Sequence, residues 1–176
     1  MRARPLCICA LVLVGVVGQA APAAAKPRPV APHCVVWISP VGPGGSSTVS
    51  APHCFAGFRA AQHRARGGAP LSFARATDAD VIAASTTISV DYDGANWTGA
   101  TLTWTVSGGT CTAGNSYSAA SMPSGWNDRV SSSRSFSGCV VNRHFQNTNF
   151  LGSGITCTCA TMGAMNNQTS SETWSN

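Results

Sequence analysis

Asn127-Asp-Arg-Val-Ser-Ser132 and Asn166-Asn-Gln-Thr-Ser-Ser171 are two copies of one pattern: two Asn/Asp residues, two variable ones, then two serines. An aromatic closes each segment, Phe136 after the first and Trp174 after the second. Both hexapeptides are rich in side-chain oxygens, although the 176-residue chain has only six Asp and Glu. Asn, Asp and Ser bend the backbone by bonding to it locally, so each hexapeptide predicts a tight, polar corner.

Each corner is preceded by a second repeated feature. Tyr92-Asp-Gly-Ala-Asn-Trp-Thr-Gly99 and Phe145-Gln-Asn-Thr-Asn-Phe-Leu-Gly152 both run aromatic, six residues, glycine, with another aromatic two before the glycine. An aliphatic residue follows three later, Leu102 and Ile155. Tyr92 to Phe145 and Gly99 to Gly152 are both 53 residues, whereas the hexapeptides are 39 apart. The first repeat therefore carries about 14 extra residues, placed at Ser107–Ser116. The glycine permits a folded-over hairpin where φ is positive or a side chain would collide. The first aromatic plugs that corner, and a serine of the hexapeptide bonds the bent backbone.

From Thr86 onward, alternating strands such as Thr87–Tyr92 and Ala100–Val106 are separated by Gly, Asn and Ser turns, and strong helix signals vanish. Two four-stranded units with long connections predict Greek keys. This combination, within about 90 residues, resembles a microbial βγ-crystallin domain. The expected architecture is all-β, a two-Greek-key sandwich over 86–176, with repeat one at 86–137 and repeat two at 138–176.

In such domains the hexapeptide is a calcium site, and the resemblance implies that ligands come from both repeats. One set would be Asp128, the Arg129 carbonyl and Ser131; the other Asn167, the Gln168 carbonyl and Ser170. Hairpin carbonyls near Asp93 and Gln146 would complete them. Calcium takes six to eight oxygen ligands. Of the four Asn/Asp positions only Asp128 is charged, so the expected affinity is that of extracellular modules, on the order of 10⁻⁴–10⁻³ M. The structural alternative is that these Asn, Asp and Ser residues only shape turns and tie hairpins.

The rest of the chain sets the context. Met1-Arg-Ala-Arg-Pro5, an apolar Leu6–Val17 and a small-residue stretch ending at Ala25 have the layout of a secretory signal peptide over 1–25. The apolar run is too short to span a bilayer, and the mature chain is expected to be secreted and monomeric. Without the signal, nine Lys/Arg face six Asp/Glu, about +3, and the basic residues are scattered. Nucleic-acid binding favours a clustered basic face, so no nucleic-acid partner is expected. Residues 26–85 are read as a disulfide-tied appendage and linker, with a strand at Cys34–Ile38, a helix over Pro52–Arg66, and a short helical turn near Thr77–Asp80.

Six cysteines follow the signal: Cys34, Cys54, Cys111, Cys139, Cys157 and Cys159, an even number that predicts three disulfides. Cys34–Cys54 is one expected pair. Cys157 and Cys159, two apart on an expected strand and so on one face, are not expected to bond each other and are assigned to Cys111 and Cys139 in either order. No paired C-x-x-C motif suggests structural zinc.

Nothing reads as catalytic machinery. His33, His53, His63 and His144 are expected to be structural or solvent-facing, and Asp91 and Asp93 share a strand face without forming a glycosidase pair. No nucleophile elbow, zinc-protease motif or phosphate loop occurs. The expected function is a secreted, non-enzymatic, calcium-binding protein. The alternative is a peptidase inhibitor or toxin-like effector that meets an extracellular protease or cell-surface component through an exposed loop at Cys111–Tyr117.

Overall fold

The computed structural model describes residues 33–67 and 85–176. The expected signal peptide and the Thr77–Asp80 turn lie outside the described residues. The described chain is β-rich: nine strands in two sheets and one α-helix.

In chain order the elements are β1 (His33–Trp37), β2 (His53–Phe55), α1 (Phe58–Arg66), β3 (Ser85–Gly94), β4 (Thr98–Ser107), β5 (Tyr117–Ala119), β6 (Ser132–Ser135), β7 (Val141–Phe145), β8 (Gly154–Thr156) and β9 (Ser171–Ser175). The first sheet has the order β2-β1-β4-β3-β6 and the second β5-β9-β7-β8. All pairs are antiparallel except β1 with β4. Between the sheets lies a core containing Ile88, Leu102, Trp104, Val106, Tyr117, Trp126, Val130, Met162 and Trp174.

Two crossings link the sheets. β5, which precedes β6 in sequence, joins the edge of the second sheet beside β9. In return, Cys159 leaves the second half to exchange backbone hydrogen bonds with Ser133 of β6, at 2.9 and 3.1 Å. The hairpin tips are bound the same way. Asn149 N–H donates to Ala120 O and Asn96 N–H to Ala160 O, both at 2.7 Å.

The described N-terminal strand and helix pack onto the first sheet. β1 runs parallel to β4 over five residue pairs, His33↔Thr101 to Trp37↔Thr105. Cys34, Val36 and Ile38 join the intersheet core, while Val35 and Trp37 pack beneath Ala61 and Ala65 of α1. A parallel strand covered on both faces needs apolar residues on both, which is why Cys34-Val-Val-Trp37 does not alternate. The helix begins at Phe58 rather than Pro52. His53–Phe55 instead forms β2, where Cys54 sits directly opposite Cys34 and is bonded to it.

The other two disulfides correct the expected pairing. Cys111 bonds Cys139, and Cys157 bonds Cys159. The expectation failed because it placed Cys157 and Cys159 on a regular strand. β8 ends at Thr156, and the next residues cross between sheets: Cys157 N–H donates to Asn142 O of β7 at 2.8 Å, whereas Cys159 pairs with β6. The link staples that crossing. Cys111–Cys139 ties the turn after β4 to the connection between β6 and β7.

Candidate functional site

Both hairpins fold over as the glycine spacing requires, and they do so identically. Asn96 and Trp97 have φ of 56° and 59°, and Asn149 and Phe150 have 56° and 62°. Left-handed conformations are costly for aromatic residues, so something must hold them. The hexapeptide serines do. Ser132 Oγ donates to Gly94 O at 2.7 Å and accepts from Trp97 N–H at 3.0 Å. Ser171 Oγ donates to Asn147 O at 2.6 Å and accepts from Phe150 N–H at 3.0 Å. Gly99 and Gly152 are also at positive φ, and a Cβ on Gly99 would run into the Asp93 carboxylate. That carboxylate accepts from Ala100 N–H at 2.7 Å, which locks the first hairpin from inside.

The fifth residues of the hexapeptides reach across the molecule. Ser131 Oγ lies 3.0 Å from Asp93 O and 3.0 Å from Asn167 Oδ1 of the other hexapeptide. Ser170 Oγ lies 3.2 Å from Asp128 Oδ1. The backbones cross-bond too: Asp128 N–H donates to Thr169 O at 3.0 Å, and Asn167 N–H to Val130 O at 2.9 Å. Asp128 and Asn167 both adopt φ of 56°, a conformation these residue types tolerate, which turns each side chain toward the opposite serine. The structure thus brings Asp128 to Ser170 and Asn167 to Ser131.

The side chains of Arg129 and Gln168 are engaged elsewhere. Arg129 donates to Gly125 O at 2.7 Å, pairs with Asp93 Oδ2 at 2.8 Å and lies over the Trp126 ring. Gln168 donates to Ala164 O and accepts from Gln146, both at 2.9 Å. The two corners differ in charge: the carboxylate of Asp128 faces Ser170, whereas the guanidinium of Arg129 stands beside the Asp93 hairpin at Ser131.

A second cluster was not anticipated. Asp91 of β3, His144 of β7 and Glu172 of β9 are completely buried between the sheets. One donor atom from each lies within 4.8 Å of the others, so the group could hold a metal ion. Asp91 is firmly oriented: Trp104 Nε1–H and Ser133 O–H each donate to it at 2.7 Å, and Asn142 donates to Ser133 at 3.0 Å. His144 Nδ1 lies 2.5 Å from Glu172 Oε1, yet neither ring nitrogen nor either Glu172 oxygen completes an aligned hydrogen bond.

Burial pushes the Asp91 carboxyl up to about 8, reinforced by the neighbouring Glu172 and opposed by His144, Ser133 and Trp104. Burial likewise pushes Glu172 up to about 8, against the contact with Asp91, and holds His144 below its usual value. Asp91 and His144 occupy equivalent places in the two repeats, 53 residues apart, and Ser133 and Glu172 are equivalent at 39. That equivalence was the available signal, but it requires knowing that both strand faces point into one core. Asp93 does not share this environment, because a register shift between Tyr92 and Gly94 carries it out to the hairpin.

Compared with protein-family models, curated proteins and solved structures, the chain matches none. Among the described residues, no helix is long and apolar enough to cross a membrane.

Proposed function

We propose that this chain is an exported, non-enzymatic protein of the βγ-crystallin kind, whose paired corner binds calcium weakly. The observation that carries the reading is the crosswise reach of Ser131 to Asn167 and of Ser170 to Asp128. An isolated turn-forming hexapeptide needs no partner 39 residues away. Exchange of β5 into the second sheet, and of Cys159 toward β6, supports two interlocked Greek keys. Three disulfides suit an oxidising, extracytoplasmic setting.

The donor set fits the ion. Around Ser131 Oγ, the Asp93 carbonyl and the Asn167 amide oxygen already sit at 3.0 Å, a spacing compatible with oxygens sharing a cation at about 2.3–2.6 Å. Ser170 and Asp128 offer an equivalent start in the other half, and the Arg129 and Gln168 carbonyls are the implied completions. Calcium bound here would cross-link the halves and stabilise the fold, since an ion that binds only the native state shifts unfolding by mass action. At ~5 mM calcium, the expected affinity gives about 1–2 kcal/mol. The test is a thermal melt of the mature protein with calcium and with chelator, where the expected rise in Tm is about 3–6 °C. An unchanged melt overturns the reading.

One observation favours a second reading. Residues 107–109, 112–114 and 116 are exposed on a loop that Cys111–Cys139 braces, the form in which an inhibitor presents backbone to a protease. Incubation with metallo- and serine proteases tests it: dose-dependent inhibition, lost on replacing residues 112–117, would favour the inhibitor.

A further inference from the structure

The buried trio poses a physical problem of its own. Three ionisable side chains with no solvent exposure occupy the space between two sheets, beside Trp104 and Trp174. Buried polar groups at such depth are nearly always satisfied by partners, because desolvation is otherwise uncompensated. Asp91 obeys this rule, with the indole of Trp104 and the hydroxyl of Ser133 both donating to it. His144 and Glu172 rely mainly on each other: across β7 and β9 their Nδ1 and Oε1 lie 2.5 Å apart, while neither ring nitrogen nor either carboxylate oxygen has a well-aligned hydrogen bond. The His144–Glu172 pair, poorly aligned for hydrogen bonding, lies beside a second carboxylate held by its own supports, and one donor atom of each of the three lies within 4.8 Å of the others, an arrangement that a shared cation would complete.

Charge and ligand chemistry narrow the partner. A divalent cation held by two carboxylates and a neutral imidazole leaves the cluster with no net charge, which suits a dry core. One nitrogen and two oxygens match zinc and its first-row neighbours, which accept imidazole and carboxylate ligands in low coordination numbers. Calcium is a poor match, because it needs six to eight oxygens. The donors to Asp91 resemble the outer supports that orient metal-binding carboxylates elsewhere.

We infer that Asp91, His144 and Glu172 form an interior metal site for a zinc-class divalent ion, separate from the calcium corner at the surface. The site joins β3 of the first sheet to β7 and β9 of the second, so its ion is a structural rivet between halves. Full burial means that the ion enters during folding or through rare opening and, once in, exchanges slowly.

The experiment uses the whole mature protein, expressed with added zinc, desalted, and assayed for metal content. About one zinc per chain is expected, resistant to brief chelation, and the replacements Asp91→Asn and Glu172→Gln should each lower retained zinc at least ~10-fold. Circular dichroism checks that these near-isosteric variants fold. If they do not, zinc-edge X-ray absorption of the unaltered protein decides: one imidazole with carboxylate oxygens supports the site, and sulfur ligation or several imidazoles overturns it. Absence of retained zinc in the unaltered protein also overturns it. So does zinc that persists in both folded variants but falls when the surface residues His53 and His63 are replaced by alanine.

Discussion

The two repeats share a backbone but carry different chemistry. At the hairpins, the buried Ser132 and Ser171 hold the bent chain through the same pair of hydrogen bonds, and the left-handed residues recur at matching angles. In the interior, the matching positions diverge: Asp91 with Ser133 in one repeat, His144 with Glu172 in the other. The corners diverge as well, one facing Asp128 and the other flanked by Arg129. The conformational parts of the repeat are duplicated, whereas the charged parts are distributed asymmetrically, so that each cluster draws on both halves.

The largest test of that asymmetry is pH. In metal-free protein the folded state keeps protons on Asp91 and Glu172 that the unfolded chain sheds above the ordinary carboxyl range near ~4. Stability should therefore fall as pH rises, until the folded-state value of about 8 is passed. His144, held neutral, acts in the opposite direction below its unfolded value of ~6.5, because only the unfolded chain takes up the proton. The decline should be steepest between ~6.5 and ~8, with a ceiling of about 1.4 kcal/mol per pH unit for each carboxyl. Denaturant melts at several pH values measure it, and Asp91→Asn should roughly halve the slope. A flat profile would mean that the trio does not titrate as a buried group.

Next in size are the clamps. Ser132→Ala and Ser171→Ala each remove two hydrogen bonds from a strained hairpin and should each cost about 2 kcal/mol. Near-equal losses in urea melts would confirm that the clamps are duplicates, and a gap much above ~1 kcal/mol would break the symmetry.

The corner comes third. Ser131→Ala and Ser170→Ala should each reduce the calcium-induced rise in Tm, and the double variant should abolish it. Asp128→Asn should weaken binding more than Asn167→Ala, because it removes the carboxylate. Calorimetric titration would read both differences.

The smallest expected effect belongs to Arg129. Arg129→Gln removes a half-exposed cation beside Asp93 and should raise calcium affinity by about 2–3-fold at low salt, fading at high salt as screening grows. A loss of affinity instead would show that Arg129 organises the hairpin more than it repels the ion.

The sequence by itself determined the local devices: both bent hairpins, their aromatic and glycine positions, and the serines beside them. Left-handed turns restrict residue type within a few positions, so Asn, Gly and Ser leave a readable mark. It also determined that the chain is β-rich and that Asp128, Ser131, Asn167 and Ser170 belong to corners. Only the tertiary structure decided where those corners meet. It also decided that β1 enters the first sheet, that Cys111 bonds Cys139 while Cys157 bonds Cys159, and that Asp91, His144 and Glu172 converge. These outcomes depend on which strands become neighbours and where the chain changes sheets. A two-residue spacing such as Cys157 to Cys159 reads as one strand face until the crossing that breaks the strand is known. Likewise, residues 53 and 28 positions apart become neighbours only once two sheets close on a common core.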